Sequence, residues 1–119
     1  MKTHKDLNAW KNSIELVCEV YRLTRSFPKE ELFCLTTQVR RAAISVPSNI
    51  SEGAARNQKR EFIRFLRIAT GSLSEAETQI LIAWHLKYLK EPELINFTGN
   101  VNKIRAQIAG LIKSLEGRL

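Results

Sequence analysis

The sequence predicts an all-α protein, an antiparallel up-down-up-down bundle of four helices, and three observations carry that prediction. Apolar residues recur at spacings of three and four along almost the whole chain, and no alternating run reads as a strand. Pro28, Pro92 and the polar stretch between Arg56 and Gln58 interrupt the repeat and divide it into four segments. The connections left over are short, which makes successive helices antiparallel neighbours. At 119 residues the chain is read as a single domain, 1–119, large enough to bury a core without metal or disulfide staples.

The first helix, about 7–26, is marked by Leu7, Trp10, Ile14, Val17 and Tyr21 and ends before Phe27-Pro28. Glu30 and Glu31 then suit the positive end of a second helix, about 30–56. At about 100° per residue, Leu32, Leu35, Val39, Ala42, Ala43, Val46, Ile50 and Ala54 fall on one side of it. Arg41, Ser45, Ser48 and Glu52 fall on the other. Pro47 lies inside this helix, removes one hydrogen bond and crowds the preceding turn, at a cost of about 3 kcal/mol. The alternative is a helix that stops at Val46, but a second helix would have no reason to keep the apolar phase through Ile50. A continuous helix kinked at Pro47 is therefore expected. Gln58 and Glu61 read as a capping pair opening a third helix, about 58–89. Pro92 suits the first turn of a fourth, about 92–117, whose stripe is Leu94, Phe97, Val101, Ile104, Ile108, Leu111 and Leu115. That spacing is the seam of left-handed bundle packing.

Composition narrows the class. Apolar residues make up 44% and charged residues 26%, as in ordinary globular domains. No apolar run is long enough to span a bilayer, and Met1-Lys2-Thr3-His4-Lys5-Asp6 does not open a secretory signal. Cys18 and Cys34 sit among apolar neighbours and read as buried free thiols of a cytoplasmic protein. The net charge of +7 is unevenly spread. Over 30–56 Arg40, Arg41 and Arg56 balance Glu30, Glu31 and Glu52. Over 57–90 Lys59, Arg60, Arg64, Arg67, Lys87 and Lys90 outnumber Glu61, Glu75 and Glu77. A local basic field of that kind favours polyanionic partners.

Two helix faces go beyond what a core needs. Arg60, Arg64 and Arg67 lie within about 40° of one another, opposite Phe62, Phe65, Leu66 and Ala69, and Arg56 and Lys59 extend the positive region at the turn. A solvated face explains this equally well. A phosphate backbone or a carboxylate-rich partner would, however, offset the crowding of guanidinium groups. Aromatic residues are not interleaved with the cations, so base-specific recognition is not expected. Further along, Leu81, Ile82 and Leu86 point away from the Leu73, Ala76 and Ile80 line and would be wet in a monomer, the signature of a protein interface. Gly71, Ser72 and Ser74, with Ser45 and Ser48, would let another helix approach. Arg41, Ser45, Ser48, Glu52, Leu81, Ile82 and Leu86 are thus the candidate oligomer contacts, and Arg56, Lys59, Arg60, Arg64 and Arg67 the candidate nucleic-acid contacts.

No catalytic or metal motif accompanies them. His4 and His85 are the only histidines and neither is spaced from a carboxylate or thiol as a metal motif requires. Asp6 is the only aspartate, and Glu75 and Glu77, two apart, face different ways. Glu52 reads as an ion-pair partner for an arginine. Neither an enzyme nor a cofactor is expected.

The segment Gln38–Gly53, with Trp10-Lys11-x-Ser13, Leu23-Thr24, Phe27-Pro28, Phe62-x-x-Phe65-Leu66-x-Ile68-Ala69-x-Gly71-Ser72-Leu73 and Glu77-Thr78-Gln79, resembles the 23S rRNA intervening-sequence proteins. Cys34 stands where glycine is usual in that family, and Ala76 where leucine is common. The resemblance implies a four-helix bundle assembled as a homopentamer. It is also similar to the accessory proteins of diversity-generating retroelements, which implies nucleic acid and a reverse transcriptase or other protein as partners. Two readings follow: an oligomer that binds RNA or DNA through basic helix faces, and a protein-binding scaffold or accessory protein with no direct nucleic-acid role. No membrane partner is expected.

Overall fold

Four long helices, with no strand among the described residues, build the molecule in the computed structural model, which describes Thr3, His4 and residues 7–117. They are α1 (Asn8–Thr24), α2 (Thr37–Ala55), α3 (Lys59–His85) and α4 (Glu91–Glu116). Met1, Lys2, Lys5 and Asp6, read above as part of a non-secretory start, lie outside the described residues. The whole measures 46 × 25 × 21 Å. α1 packs against α2 and α4, and α3 likewise against α2 and α4.

Each helix buries one stripe. Val39, Ala43, Val46 and Ile50 come from α2, Leu66, Ala69, Leu73, Ala76 and Ile80 from α3, and Phe97, Val101, Ile104 and Ile108 from α4. These are the stripes that the three-four spacing predicts, with Leu94 and Leu111 only half-buried. On α1 the buried face is instead Ala9, Leu16, Val20 and Leu23. Trp10 and Val17 are half-buried beside α2, and Ile14 is exposed. Apolar residues cover so wide an arc of α1 that packing chooses the face.

Polar contacts pin the helix pairs. Asn12 Nδ2 donates to Gln107 Oε1 at 3.0 Å, while Asn96 and Asn100 donate to the two carboxylate oxygens of buried Glu19, each at 2.9 Å. The Ser45 and Ser72 hydroxyls meet at 2.8 Å between α2 and α3. Arg105 reaches Glu77 at 2.6 Å between α4 and α3. α2 runs unbroken through Pro47, as the constant apolar phase requires. Asn49 Nδ2 donates to the Ser45 carbonyl at 2.7 Å two residues past the proline.

The expected second helix, 30–56, is regular only from Thr37. A 3₁₀ turn at Lys29–Glu31 and a π turn at Leu32–Thr36 precede it. There Cys34 leaves helical geometry (φ −124°, ψ −106°) and the Thr37 hydroxyl donates to the Leu32 carbonyl. This turn leaves Leu32 and Phe33 exposed, so Leu32 does not join the buried face. Both cysteines are exposed as well, against the expectation of buried thiols. Cys34 belongs to the irregular turn, and Cys18 lies on the outer side of α1. The third helix stops at His85, short of 89. Lys87 adopts φ 67°, the Tyr88 N–H reaches the Ala83 carbonyl and the Lys87 N–H the Trp84 carbonyl, a Schellman cap with lysine in the glycine position. Gln58 makes no side-chain cap, and Glu61 is held by Arg64. The fourth helix begins at Glu91 with Pro92 in its first turn, as expected, and the Lys90 N–H donates to Glu93 at 2.8 Å.

One glycine sets a helix distance. A Cβ on Gly53 would lie 2.7 Å from Phe65 Cβ and 3.3 Å from the Phe62 carbonyl, so α2 and α3 touch backbone to side-chain root there. At the other end of α3 the Tyr88 hydroxyl donates to Glu31 Oε2 at 2.8 Å. That hydrogen bond, then burial, raises the phenol above its ordinary 10.0, since ionisation would face one anion with another. Its stabilising effect is complete below the unfolded phenol's pKa and is lost as pH rises through the folded value. Glu31→Gln should therefore return Tyr88 to the ordinary range in an ultraviolet tyrosinate titration; an unchanged titration would show that the carboxylate is not the cause.

Candidate nucleic-acid interface

The five cations singled out in the sequence stand at one end of the bundle, on the α2–α3 turn and the first turns of α3, and all are exposed. Local structure explains the gathering. α2 ends at Ala55 with Arg56 as its C-cap, Asn57 takes φ 60°, a conformation asparagine tolerates, and α3 begins at Lys59. The turn thus places Arg56 across from Arg60 and Arg64.

Buried Phe65 organises two of them. The Arg64 guanidinium lies over the ring, 4.5 Å from its centroid, and that of Arg56 5.2 Å, so one phenyl attracts two cations through its π face. This role could not be read from the sequence, although Phe65 itself was placed on the core side. Carboxylates take up part of the charge: Glu52 with Arg56 at 3.0 Å, Glu61 with Arg64 at 2.9 Å, and Glu116 with Arg67 at 3.0 Å. The Arg64 hydrogen bond holds the Glu61 carboxyl below its ordinary value, and the same contact raises Arg64. Exposed pairs of this kind contribute little to stability, because water and salt screen them. A phosphate oxygen can therefore take a guanidinium from its glutamate at little cost. Glu52 and Glu116, outside the stretch that carries the arginines, thus relieve the crowding together with Glu61.

The candidate oligomer contacts are spread more widely. Leu81, Ile82 and Leu86 are 42%, 44% and 49% exposed, as their phase requires. Arg41 and Ser48 are exposed on α2. Glu52 pairs with Arg56, its i,i+4 neighbour one turn on, while Arg41 stands eleven residues back along the same helix. Ser45 meets Ser72 of α3 within the same chain, hydroxyl to hydroxyl at 2.8 Å. Between α2 and α3 a groove of about 200 Å³ is lined by Gln38, Arg41, Ser45, Glu75 and Gln79. Gln79 Oε1 is buried there without a donor among the described residues.

Among the described residues no three His, Cys, Asp or Glu side chains come together as a metal site. Among the described residues no helix is long and apolar enough to cross a membrane.

Comparison with known proteins agrees with this architecture. No relative matches among the curated proteins. A crystal structure from Bacteroides thetaiotaomicron VPI-5482, of a protein with unknown function in the S23 ribosomal protein family, superposes with a TM-score of 0.81. It shares 20% identity and covers 88% of this chain and 98% of that one, a likeness of fold. Residues 5–110 match the family model of the 23S rRNA-intervening sequence protein. Since that match spans most of the chain, the protein belongs to the 23S rRNA-intervening sequence protein family.

Proposed function

We propose that this protein is a non-enzymatic, cytoplasmic homo-oligomer that binds RNA or DNA through its basic end, by contacts to phosphate and not to bases. The observation that carries the reading is the gathering of Arg56, Lys59, Arg60, Arg64 and Arg67 at one end, two of them oriented by Phe65. Guanidinium groups held in place lose less freedom on meeting a phosphate. The family name, which ties its members to 23S rRNA intervening sequences, agrees with a nucleic-acid partner.

The helices are read as up-down-up-down, because contact numbers rise along one helix as they fall along its neighbour: Asn12 with Gln107, then Glu19 with Asn100 and Asn96. α2 bends at Pro47, where the Ala43 carbonyl lacks its helical donor. Oligomer formation is supported by the wet residues Leu81, Ile82 and Leu86 and by the unpartnered acceptor of Gln79, since buried polar atoms ordinarily find partners. Five copies is the number that the family resemblance suggests.

The test is salt. Affinity for structured RNA or DNA should fall with rising salt, with a log-log slope of about 0.9 per phosphate contacted on duplex DNA. Replacing Arg60, Arg64 and Arg67 together by Gln should flatten that slope and leave helicity and assembly intact. Absence of retention by the unmodified protein at about 50 mM salt would end the nucleic-acid reading. The basic end would then belong to an acidic protein partner.

A further inference from the structure

Two contacts from α1 hold Arg40 of α2 in place. Buried Thr24 gives its hydroxyl hydrogen to the Val20 carbonyl at 2.8 Å, and its oxygen accepts the Arg40 Nε–H at 3.0 Å. The Arg40 guanidinium also lies over the Tyr21 ring, 4.5 Å from the centroid. One edge and one face of the group are thus occupied. What remains is the outer edge of Nη1 and Nη2, parallel donors that fit two oxygens of one anion. Neither terminal nitrogen is buried, and neither has a partner among the described residues.

No carboxylate faces that edge. Arg56, Arg64, Arg67 and Arg105 each pair with a glutamate, whereas none reaches Arg40 among the described residues. The charges of 30–56 balance in number but not in space. Glu31 accepts from Tyr88, Glu52 pairs with Arg56, and Glu30 stands exposed on the 3₁₀ turn. On α1, Glu19 turns to Asn96 and Asn100 of α4, and at the start of α4 Glu93 accepts from the Lys90 N–H. Arg25, the C-cap of α1, lies one turn beyond Tyr21 on the same face, exposed and likewise without a carboxylate among the described residues. Two guanidinium groups therefore stand together without an anion, one of them already oriented.

We infer that Arg40, with Arg25 beside it, is a second contact for a backbone phosphate, separate from the basic end. This rests on the nucleic-acid reading above and adds to it a residue that the charge count had balanced. Arg40 stands sixteen positions before Arg56, about 24 Å along α2 and nearly half a turn around it. On an open surface, one fork and one further cation hold a free phosphate only weakly. A polymer that presents many phosphates engages both places at once and gains from each. A nucleic acid that meets both must curve round the bundle, as a folded RNA does and a short, stiff duplex does not.

The test is the binding of a mixed-sequence stem-loop RNA, followed by fluorescence anisotropy over a salt series. Arg40→Gln should weaken binding about tenfold, the effect of one charge-assisted contact, and lower the log-log slope by about 0.7–0.9. Arg25→Gln, which disturbs no contact within the fold, should lower the slope likewise. Arg40→Lys keeps the charge and should keep the slope, with weaker binding because the fork is lost. Combined with the replacement of Arg60, Arg64 and Arg67, Arg40→Gln should flatten the slope beyond what those three achieve. If Arg40→Gln and Arg25→Gln both bind with the unmodified slope, the inference is overturned and the basic end stands alone; a lower melting temperature of Arg40→Gln would then mark a packing role. An unmodified protein that leaves the RNA unbound at about 50 mM salt would overturn the nucleic-acid reading and this inference together.

Discussion

Replacing Phe97 with alanine is expected to destabilise the bundle by about 3–5 kcal/mol, the usual effect of emptying a large buried aromatic site. Phe97 is the largest fully buried side chain and belongs to the one apolar core that the four helices share. Against a total stability of about 5–15 kcal/mol this is a large fraction. Urea denaturation should show a lower midpoint at unchanged slope, and Phe97→Leu, which keeps most of the volume, a smaller shift. A midpoint unmoved by Phe97→Ala would mean that α4 is not held by this side chain.

Gly53→Ala is expected to destabilise the protein by about 1–3 kcal/mol, in the direction opposite to helix propensity, which favours alanine by about 1 kcal/mol. The new methyl group would stand 2.7 Å from Phe65 Cβ, an atom fixed to the α3 backbone that cannot swing aside. Relief requires α2 and α3 to part at the turn bearing the cations. Because Phe65 orients Arg56 and Arg64, the same substitution should also weaken retention on nucleic acid although no charge is removed. A thermal melt and a salt-gradient elution on one sample read both effects. A variant that melts higher would show that the helices part freely.

Much of the fold was legible because α3, α4 and the second half of α2 carry narrow apolar stripes bounded by charge. Leu73, Ala76 and Ile80, or Val101, Ile104 and Ile108, admit only one buried face. The rest depended on interactions that periodicity does not carry. On α1 both Ile14 and Leu16 are apolar, and only the packing of α2 and α4 decides that Leu16 is buried. At residues 30–36 a local hydrogen bond from Thr37 overrides a helical pattern that looked continuous, which also leaves Cys34 in solvent. The cations of the candidate site were legible from rotation alone. The pairing of Arg67 with Glu116, remote in the chain, was not. Glu19 left a trace in the sequence, an acid set between Cys18 and Val20 in the apolar run 16–21, with asparagines four apart at 96 and 100.

That buried acid has a consequence for how the terminal helices can be threaded together. An apolar seam repeating every three or four residues tolerates sliding by a turn, because one aliphatic group replaces another. Glu19 does not. If α4 slid by four residues in one sense, Asn100, Ile104 and Leu111 would stand where Asn96, Asn100 and Gln107 now stand; in the other sense, Pro92, Asn96 and Lys103 would. Either slip leaves one carboxylate oxygen without its amide and deprives Asn12 of its acceptor. A buried polar group left without its hydrogen bond costs about 1–3 kcal/mol, a penalty that an aliphatic seam does not register. A few polar atoms between α1 and α4 thus act as the ratchet pawl of the bundle, fixing one axial setting among several that the greasy contacts alone would accept.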